Sequence, residues 1–119
     1  MAEHNITGKK GEEMAADFLA SSGYEILETN WRFMHLEADI IAKKDKTLVI
    51  AEVKTRKSSY FGEPESFITK QKQKNLIKAA NGYIERNNID LEVRFDIVSI
   101  VLNDSTAVKH IEDAFYPLL

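Results

Sequence analysis

The chain contains no cysteine, which excludes disulfide bonds and thiolate metal sites. No apolar run approaches the roughly 18 residues of a membrane-spanning helix, and the first residues lack the basic start and apolar stretch of a secretory signal. No linker or internal repeat interrupts the sequence. We therefore expect one domain over residues 1–119, in a soluble, cytoplasmic protein with no membrane partner.

The chain as a whole also has no large excess of positive or negative charge, although its charged residues are unevenly distributed. The net charge of −3 argues against a protein that coats nucleic acid non-specifically. Residues 43–78 nevertheless hold ten Lys or Arg and four acids, a local balance of +6 that leaves −9 elsewhere. A solvated helix face and a lysine-rich hairpin would give the same pattern, so charge alone does not establish a polyanion partner.

Hydrophobic periodicity predicts an α/β fold of order αβββαβ. A first helix is predicted over 11–22, capped by Gly23, and a second from an N-cap at Thr69 to about Asn87. The third strand is nearly continuous in apolar residues, so we expect it to be central in the sheet. The predicted strands are 24–33, 37–42, 47–54 and 93–100, with 107–111 as a final edge strand.

Charged side chains on the second and third strands form the main candidate site. Residues two apart on a strand share a face, so Glu37 and Asp39 project together, as do Glu52 and Lys54. If the strands pair antiparallel, Asp39 and Glu52 lie close together. Crowded carboxylates repel one another unless a hard cation such as Mg²⁺ or Mn²⁺ neutralises them. We therefore predict a metal site formed by Asp39, Glu52 and the carbonyl of Val53.

Phosphodiester hydrolysis is the chemistry that such a site favours. A divalent ion lowers the pKa of a water and stabilises the leaving oxygen, and Lys54 would orient that water or neutralise charge at phosphorus. The alternative is that Glu52 and Lys54 form a solvated pair at a strand end, which is the commoner origin of any single Glu-x-Lys. The tripeptide Glu52-Val53-Lys54 therefore indicates a nuclease site only together with the surrounding acids.

A longer set of residues resembles a known family. The matching segments are Gly11 to Ala15, Gly23 to Leu27, Asn30-Trp31-Arg32, Glu37 to Ala42, Glu52 to Arg56, Phe61-Gly62 and Lys72. Together they resemble the YraN-like family, small bacterial proteins that are uncharacterised as a group. That family in turn resembles the restriction-endonuclease-like superfamily, including archaeal Holliday junction resolvases. The resemblance spans nearly the whole chain.

This resemblance implies both a fold and a site. The fold is a restriction-endonuclease-like αβββαβ core, with a mixed central sheet flanked by helices. The acid, acid and lysine of the nuclease signature fall on Asp39, Glu52 and Lys54, with Mg²⁺ or Mn²⁺ as cofactor.

Two further acids, Glu12 and Glu37, are implied by the resemblance. On the residues alone, Glu12 serves equally well as a negative charge in the first turn of a helix. The family usually has glycine just before Glu37, whereas this chain has Leu36.

Several basic and aromatic residues near the predicted site are candidates for nucleic-acid contacts. The basic candidates are Arg56, Lys57 and Lys72. Phosphate contacts of this kind give affinity without reading sequence, although a role in surface solubility is equally consistent with them. Tyr60 and Phe61, in the irregular stretch 58–64, are the better candidates for stacking on unpaired bases. Trp31 is expected in the core, and Asp96 is expected to pair with a basic residue and not with metal.

Three functions fit these observations. The first is a Mg²⁺- or Mn²⁺-dependent nuclease acting on branched or structured DNA, which would require a homodimer for a symmetric junction. The second is a non-catalytic nucleic-acid-binding or DNA-processing adaptor with the same fold, and the third is a protein-interaction module. Asp39, Glu52 and Lys54 favour the first, because a pure binding module has no need for clustered acids that repel phosphate.

Overall fold

The structure is a computed structural model and describes residues 2–57, 68–102 and 106–115. The predicted αβββαβ order and the final edge strand are confirmed. The elements are α1 Ala2–Ser21, β1 Glu25–Phe33, β2 Leu36–Lys44, β3 Thr47–Arg56, α2 Lys70–Asn87, β4 Glu92–Val101 and β5 Ala107–Phe115.

Helix α1 begins at Ala2, nine residues before the start that periodicity predicts. The segment before Gly11 carries no apolar stripe, so hydrophobic spacing cannot reveal it. A helix continues from turns that are already formed at little further cost, because only the first turn is expensive to nucleate. Neither helix of the described residues is long and apolar enough to cross a membrane.

The sheet has the order β1-β2-β3-β4-β5, so β3 lies at its centre as predicted. Strands β1, β2 and β3 form an antiparallel meander, β3 and β4 are parallel, and β5 pairs antiparallel with β4. A parallel neighbour requires a crossover connection, and α2 supplies it between β3 and β4.

Two apolar cores lie on the two faces of the sheet. Alternate residues of β3 divide between them, since Leu48 and Ile50 face α2 while Val49 and Ala51 face α1. Trp31 packs beside the core on the α2 face, with its ring edge-to-face to Tyr83 at 5.1 Å between centroids, which confirms that it is a packing residue. We call these the α2-side core and the α1-side core.

A buried polar network joins β4 to β5 beneath the end of α1. Asp96 is fully buried and accepts hydrogen bonds from Arg94 Nε at 2.9 Å and Arg94 Nη2 at 2.8 Å. His110 Nε2 lies 2.7 Å from Asp96 Oδ2, and the main-chain N–H of Asp113 donates to Oδ1 at 3.0 Å. Burial opposes ionisation, but the hydrogen bonds from His110 and Arg94 hold the pKa of Asp96 below its ordinary value. The expectation that Asp96 pairs with a basic residue is confirmed.

Replacing Asp96→Asn is expected to destabilise the protein by about 3 kcal/mol, because removing one partner of a buried charge pair leaves the others uncompensated. The folded pKa of Asp96 is lowered, so its stabilisation is present at neutral pH and is lost as pH falls below about 4. Urea unfolding at pH 7 and pH 3 measures both effects. Glu92→Gln, at an exposed residue that begins the same strand, is the control. A loss at pH 7 no larger than that of the control would contradict the network's role.

Candidate functional site

The site lies where β2 and β3 part. Their pairing ends at Ile40↔Ala51, whereas β2 continues to pair with β1 as far as the turn at its start. Beyond that point Asp39 and Glu52 line a gap between two strands that no longer share hydrogen bonds. The sequence predicts that these acids are neighbours. In the structure they face each other across the gap without being paired by main-chain hydrogen bonds.

The side chain of Asp39 occupies the gap. Ala38 belongs to the α2-side core and Ile40 to the α1-side core, so the alternation of faces breaks at Asp39. Asp39 Oδ2 accepts a hydrogen bond from the main-chain N–H of Val53 at 2.9 Å. The N–H and C=O of one strand residue point to the same side, so the carbonyl of Val53 also faces the gap.

Asp39 and Glu52 interact directly. Burial, the hydrogen bond with Glu52 and the charge of Glu52 raise the pKa of Asp39 to about 8, against the opposing effects of the Val53 N–H and the Lys72 ammonium. Glu52 is itself only 3% exposed. Burial and the like charge of its neighbour therefore both oppose ionisation of Asp39.

Glu52 has one oxygen whose hydrogen-bonding needs are not met. Lys72 Nζ lies 3.2 Å from Glu52 Oε2, close enough for an ion pair, but the approach direction is not that of a hydrogen bond. Among the described residues, this buried oxygen has no hydrogen-bond partner. Lys72 compensates the charge of this oxygen but leaves it without a well-aligned hydrogen bond, and coordination of a cation would supply the further contact.

Helix α1 brings a further acid towards the gap. A Cβ at Gly11 would collide with the side chain of Thr55, so glycine there lets the helix lie directly against β3. The next residue of the helix is Glu12, which therefore also lies near β3. Burial raises the pKa of Glu12, and the negative charge of Asp39 adds to the rise.

Glu37 lies at the outer side of the site. Its charge also raises the pKa of Glu12, although its own side chain is 45% exposed and lies 4.0 Å from Arg32. Leu36, which stands where the resembling family usually has glycine, is buried in the α2-side core and closes the β1–β2 turn opposite Phe33. Leucine in place of glycine is thus accommodated here, because its side chain is buried in the α2-side core.

The donor set fits a hard divalent cation. Across residues 2–57, 68–102 and 106–115, no group of three His, Asp or Glu side chains is placed to hold a metal ion. The gap offers two carboxylates, Asp39 and Glu52, together with a main-chain carbonyl. Mg²⁺ typically uses one or two carboxylates and keeps several waters, whereas Zn²⁺ takes His and Cys ligands that are missing here. Glu12 and Glu37 remain predicted additional acids.

The basic candidates on and after β3 differ in how far they are exposed. Lys54 shares the α2-facing side of β3 with Glu52 and is half-buried. Arg56 is half-buried at the end of β3, and Lys57 follows it and is exposed. Their roles in catalysis and phosphate binding remain predictions. Tyr60 and Phe61 lie outside the described residues.

Sequence reasoning missed the ion pair between Lys72 and Glu52. Thr69 caps α2 by accepting a hydrogen bond from the main-chain N–H of Lys72 at 3.0 Å, which fixes Lys72 in the first turn. A crossover between parallel strands starts near the end of the strand that it leaves. The order β3-α2-β4 therefore contained a signal that the first turn of α2 would lie beside the end of β3.

Comparison with known proteins identifies similar chains. A family model described as uncharacterised protein family UPF0102 matches residues 11–100. A UPF0102 protein of Christiangramia forsetii and one of Flavobacterium psychrophilum are each 50% identical over 117 residues, which cover 98% of this chain and 98% of each relative. A UPF0102 protein of Bacteroides thetaiotaomicron is 45% identical over 120 residues, covering 100% of this chain and 99% of that protein.

Asp39→Asn is expected to flatten the pH dependence of stability in chelator-containing buffer. The pKa of Asp39 is about 8 in the fold and about 4 in an unfolded chain, so the folded state retains a proton that the unfolded state loses. Stability of the parent should therefore fall as pH rises from about 4 to about 8. Urea unfolding across that range measures the slope, with Glu37→Gln as an exposed control. An unchanged slope in Asp39→Asn would show that Asp39 does not hold this proton.

Proposed function

The chain belongs to the uncharacterised protein family UPF0102, in keeping with its resemblance to the YraN-like proteins, and we propose that it is a metal-dependent nuclease. The proposed reaction is hydrolysis of phosphodiester bonds in branched or structured DNA, with Mg²⁺ or Mn²⁺ as cofactor. The observation that carries the proposal is the buried Glu52 oxygen without a hydrogen bond, beside a carboxyl group whose pKa is raised to about 8. Such perturbed groups cluster at functional sites.

Asp39, Glu52 and the carbonyl of Val53 are the groups that would hold the ion. When bound, a divalent ion supplies an acidified water and a positive charge beside the scissile phosphate. Asp39 would release its proton on binding, and the hydrogen bond from the Val53 N–H would hold the resulting carboxylate in place. The parting of the two strands keeps this carboxylate accessible.

Two lysines would complement the charge of the phosphate. Lys54 lies two residues beyond Glu52 on the same face of β3, so its ammonium would neutralise charge that builds on phosphorus or orient the attacking water. Lys72 already compensates Glu52 at 3.2 Å, and its side chain is 40% exposed, so it would also reach a bound phosphate. These roles place one cation on β3 and one on α2.

The first half of α2 would attract the DNA backbone. It carries Lys70, Lys72, Lys74 and Lys78, with no acid before Glu85. Lysines that neutralise phosphates give affinity that is independent of sequence and falls with salt. This local surplus offsets the acidic remainder of the chain. A DNA substrate places the proposed activity in the cytoplasm, and action on a symmetric junction would need a homodimer.

The alternative is a non-catalytic nucleic-acid-binding or DNA-processing adaptor. It is favoured by the finding that, among the described residues, no third His, Asp or Glu side chain joins the two carboxylates of the gap to hold a metal ion. An adaptor would keep the basic first half of α2 and would bind DNA without cutting it. The two functions differ in what the acids contribute, and the following experiments separate them.

Lys54→Ala is expected to reduce cleavage by about 10²- to 10³-fold, because it removes a charge that acts on the transition state. Labelled single-stranded, duplex, flapped and four-way DNA would be incubated with the protein and Mn²⁺. Lys46→Ala, which removes the same charge from the β2–β3 turn, is the matched control and should cut normally. Binding without cutting by the parent protein would favour the adaptor.

Glu52→Gln is expected to abolish the stabilisation that Mn²⁺ gives to the fold. An ion that binds only the folded state raises the free energy of unfolding in proportion to the logarithm of its concentration. The variant should be about as stable as the parent without metal, because relief of the repulsion with Asp39 offsets the lost ion pair with Lys72, whose ammonium is exposed enough to be hydrated. Thermal unfolding with chelator and with millimolar Mn²⁺ measures both effects. Loss of folding in chelator would mean that Glu52 is structural.

A further inference from the structure

The turn between β1 and β2 exposes an apolar side chain. Met34 is 81% exposed, and no other large hydrophobic residue in the described part of the chain is exposed to this degree. Its φ of 59° lies in the left-handed region, which residues with a Cβ seldom adopt. Glycine, Asn or Asp would form such a turn more readily. The turn thus keeps an exposed methionine in a conformation that does not favour it.

The turn is held firmly against α2. The Phe33 ring packs so closely on Gly82 that a Cβ there would collide with it. Trp31 stacks on Phe33 with ring centroids 6.0 Å apart and an interplanar angle of 7°, and packs edge-to-face on Tyr83. Met34 therefore lies between two well-packed residues, Phe33 before it and the buried Leu36 shortly after it.

A groove of about 440 Å³ lies between the turn and α2. Its α2 side presents the carboxamides of Gln71, Asn75 and Asn81 and the ammonium of Lys78, with Glu85 at the helix's later turn. Carboxamides both donate and accept hydrogen bonds, so they match the edges of nucleobases. The ammonium suits a phosphate.

The groove and the acids open on neighbouring parts of the surface. Gln71 in the groove is next to Lys72, which pairs with Glu52. Met34 lies in the turn, two residues before β2 begins, and Asp39 is the fourth residue of that strand. Even a fully extended chain, at about 3.3 Å per residue, would separate the two by no more than roughly 16 Å. A nucleic-acid strand lying across the acids would therefore pass on to the groove and to the turn.

We propose that the β1–β2 turn is a wedge for branched DNA, in which Met34 stacks on the last base pair and the first unpaired base enters the groove. The proposal rests on the nuclease function proposed above and specifies its substrate class. Methionine is among the apolar side chains that proteins insert between base steps, and stacking tolerates any base. Lys78 and the 75% exposed side chain of Arg32 supply positive charge on either side.

The spacing limits where the strand would be cut. A separation of at most roughly 16 Å between Met34 and Asp39 corresponds to no more than about five nucleotides at 3.4 Å per nucleotide of one strand. Cleavage should fall within about five nucleotides of the branch point, on the strand that reaches the acids. Cuts spread evenly along the duplex arm would overturn the proposal.

Met34→Gly is the discriminating variant. Glycine readily adopts the positive φ of this position, so the variant should fold at least as well as the parent while it lacks the wedge. A flapped DNA with 2-aminopurine beside the branch would report unstacking by fluorescence, in Ca²⁺ so that binding is read without relying on cutting. The parent should raise the fluorescence, and Met34→Gly should lose the rise and about tenfold of its affinity for the flap. Binding of unbranched single strands should not change.

Met34→Leu is the matched control, because leucine keeps an apolar side chain of similar volume and should retain the fluorescence rise. Equal unstacking by Met34→Gly and the parent would overturn the wedge, as would failure of the parent to bind any DNA. Unstacking that depends on Met34, in a protein that never cuts with Mn²⁺, would overturn the nuclease function and leave the wedge standing. If Met34→Gly still cuts at the same position and with the same branch preference, the wedge is overturned and the nuclease function stands.

Discussion

The hydrogen bond from the Val53 N–H to Asp39 is the interaction on which the site depends. It satisfies a main-chain donor at the point where β2 leaves β3, and so it allows the two strands to separate without leaving that N–H unpaired. The separation lets the Asp39 carboxyl lie between the strands and beside Glu52. Had the ladder continued beyond Ile40↔Ala51, a main-chain carbonyl would have filled the same place.

The two faces of the sheet treat buried charge in opposite ways. Asp96 lies on the α1 side, opposite Ala51 in the pairing of β3 with β4, whereas Glu52, the next residue of β3, lies on the α2 side. Around Asp96 every contact satisfies the carboxylate, with a bidentate guanidinium, an imidazole and a main-chain N–H, and its pKa is lowered. Around Glu52 a buried oxygen lacks a hydrogen bond and the neighbouring Asp39 has a raised pKa. A protein built for stability alone would have treated both groups as it treats Asp96. Local cost of this kind is typical of functional sites, and it is offset elsewhere in the fold.

Much of the fold follows from patterns in the sequence. The nearly continuous apolar residues of 47–54 placed the third strand at the centre, and the expected antiparallel pairing of the second and third strands placed Asp39 near Glu52. What escaped prediction depends on tertiary contacts between residues far apart in sequence. Lys72 reaches Glu52 through the crossover, and His110 reaches Asp96 through the pairing of β4 with β5. The break in alternation at Asp39 was also hidden, because a two-residue period assumes that the ladder continues.

The crossover between β3 and β4 also divides the site between two stages of folding. Strands β1, β2 and β3 are joined by short turns, so their contacts are local and form rapidly, whereas the parallel pairing of β3 with β4 spans all of α2. The meander contributes both acids, and the later half contributes the lysine that balances them. We therefore expect the acids of the hairpins to stay hydrated until α2 docks, so that the element that buries the site also brings its counter-charge.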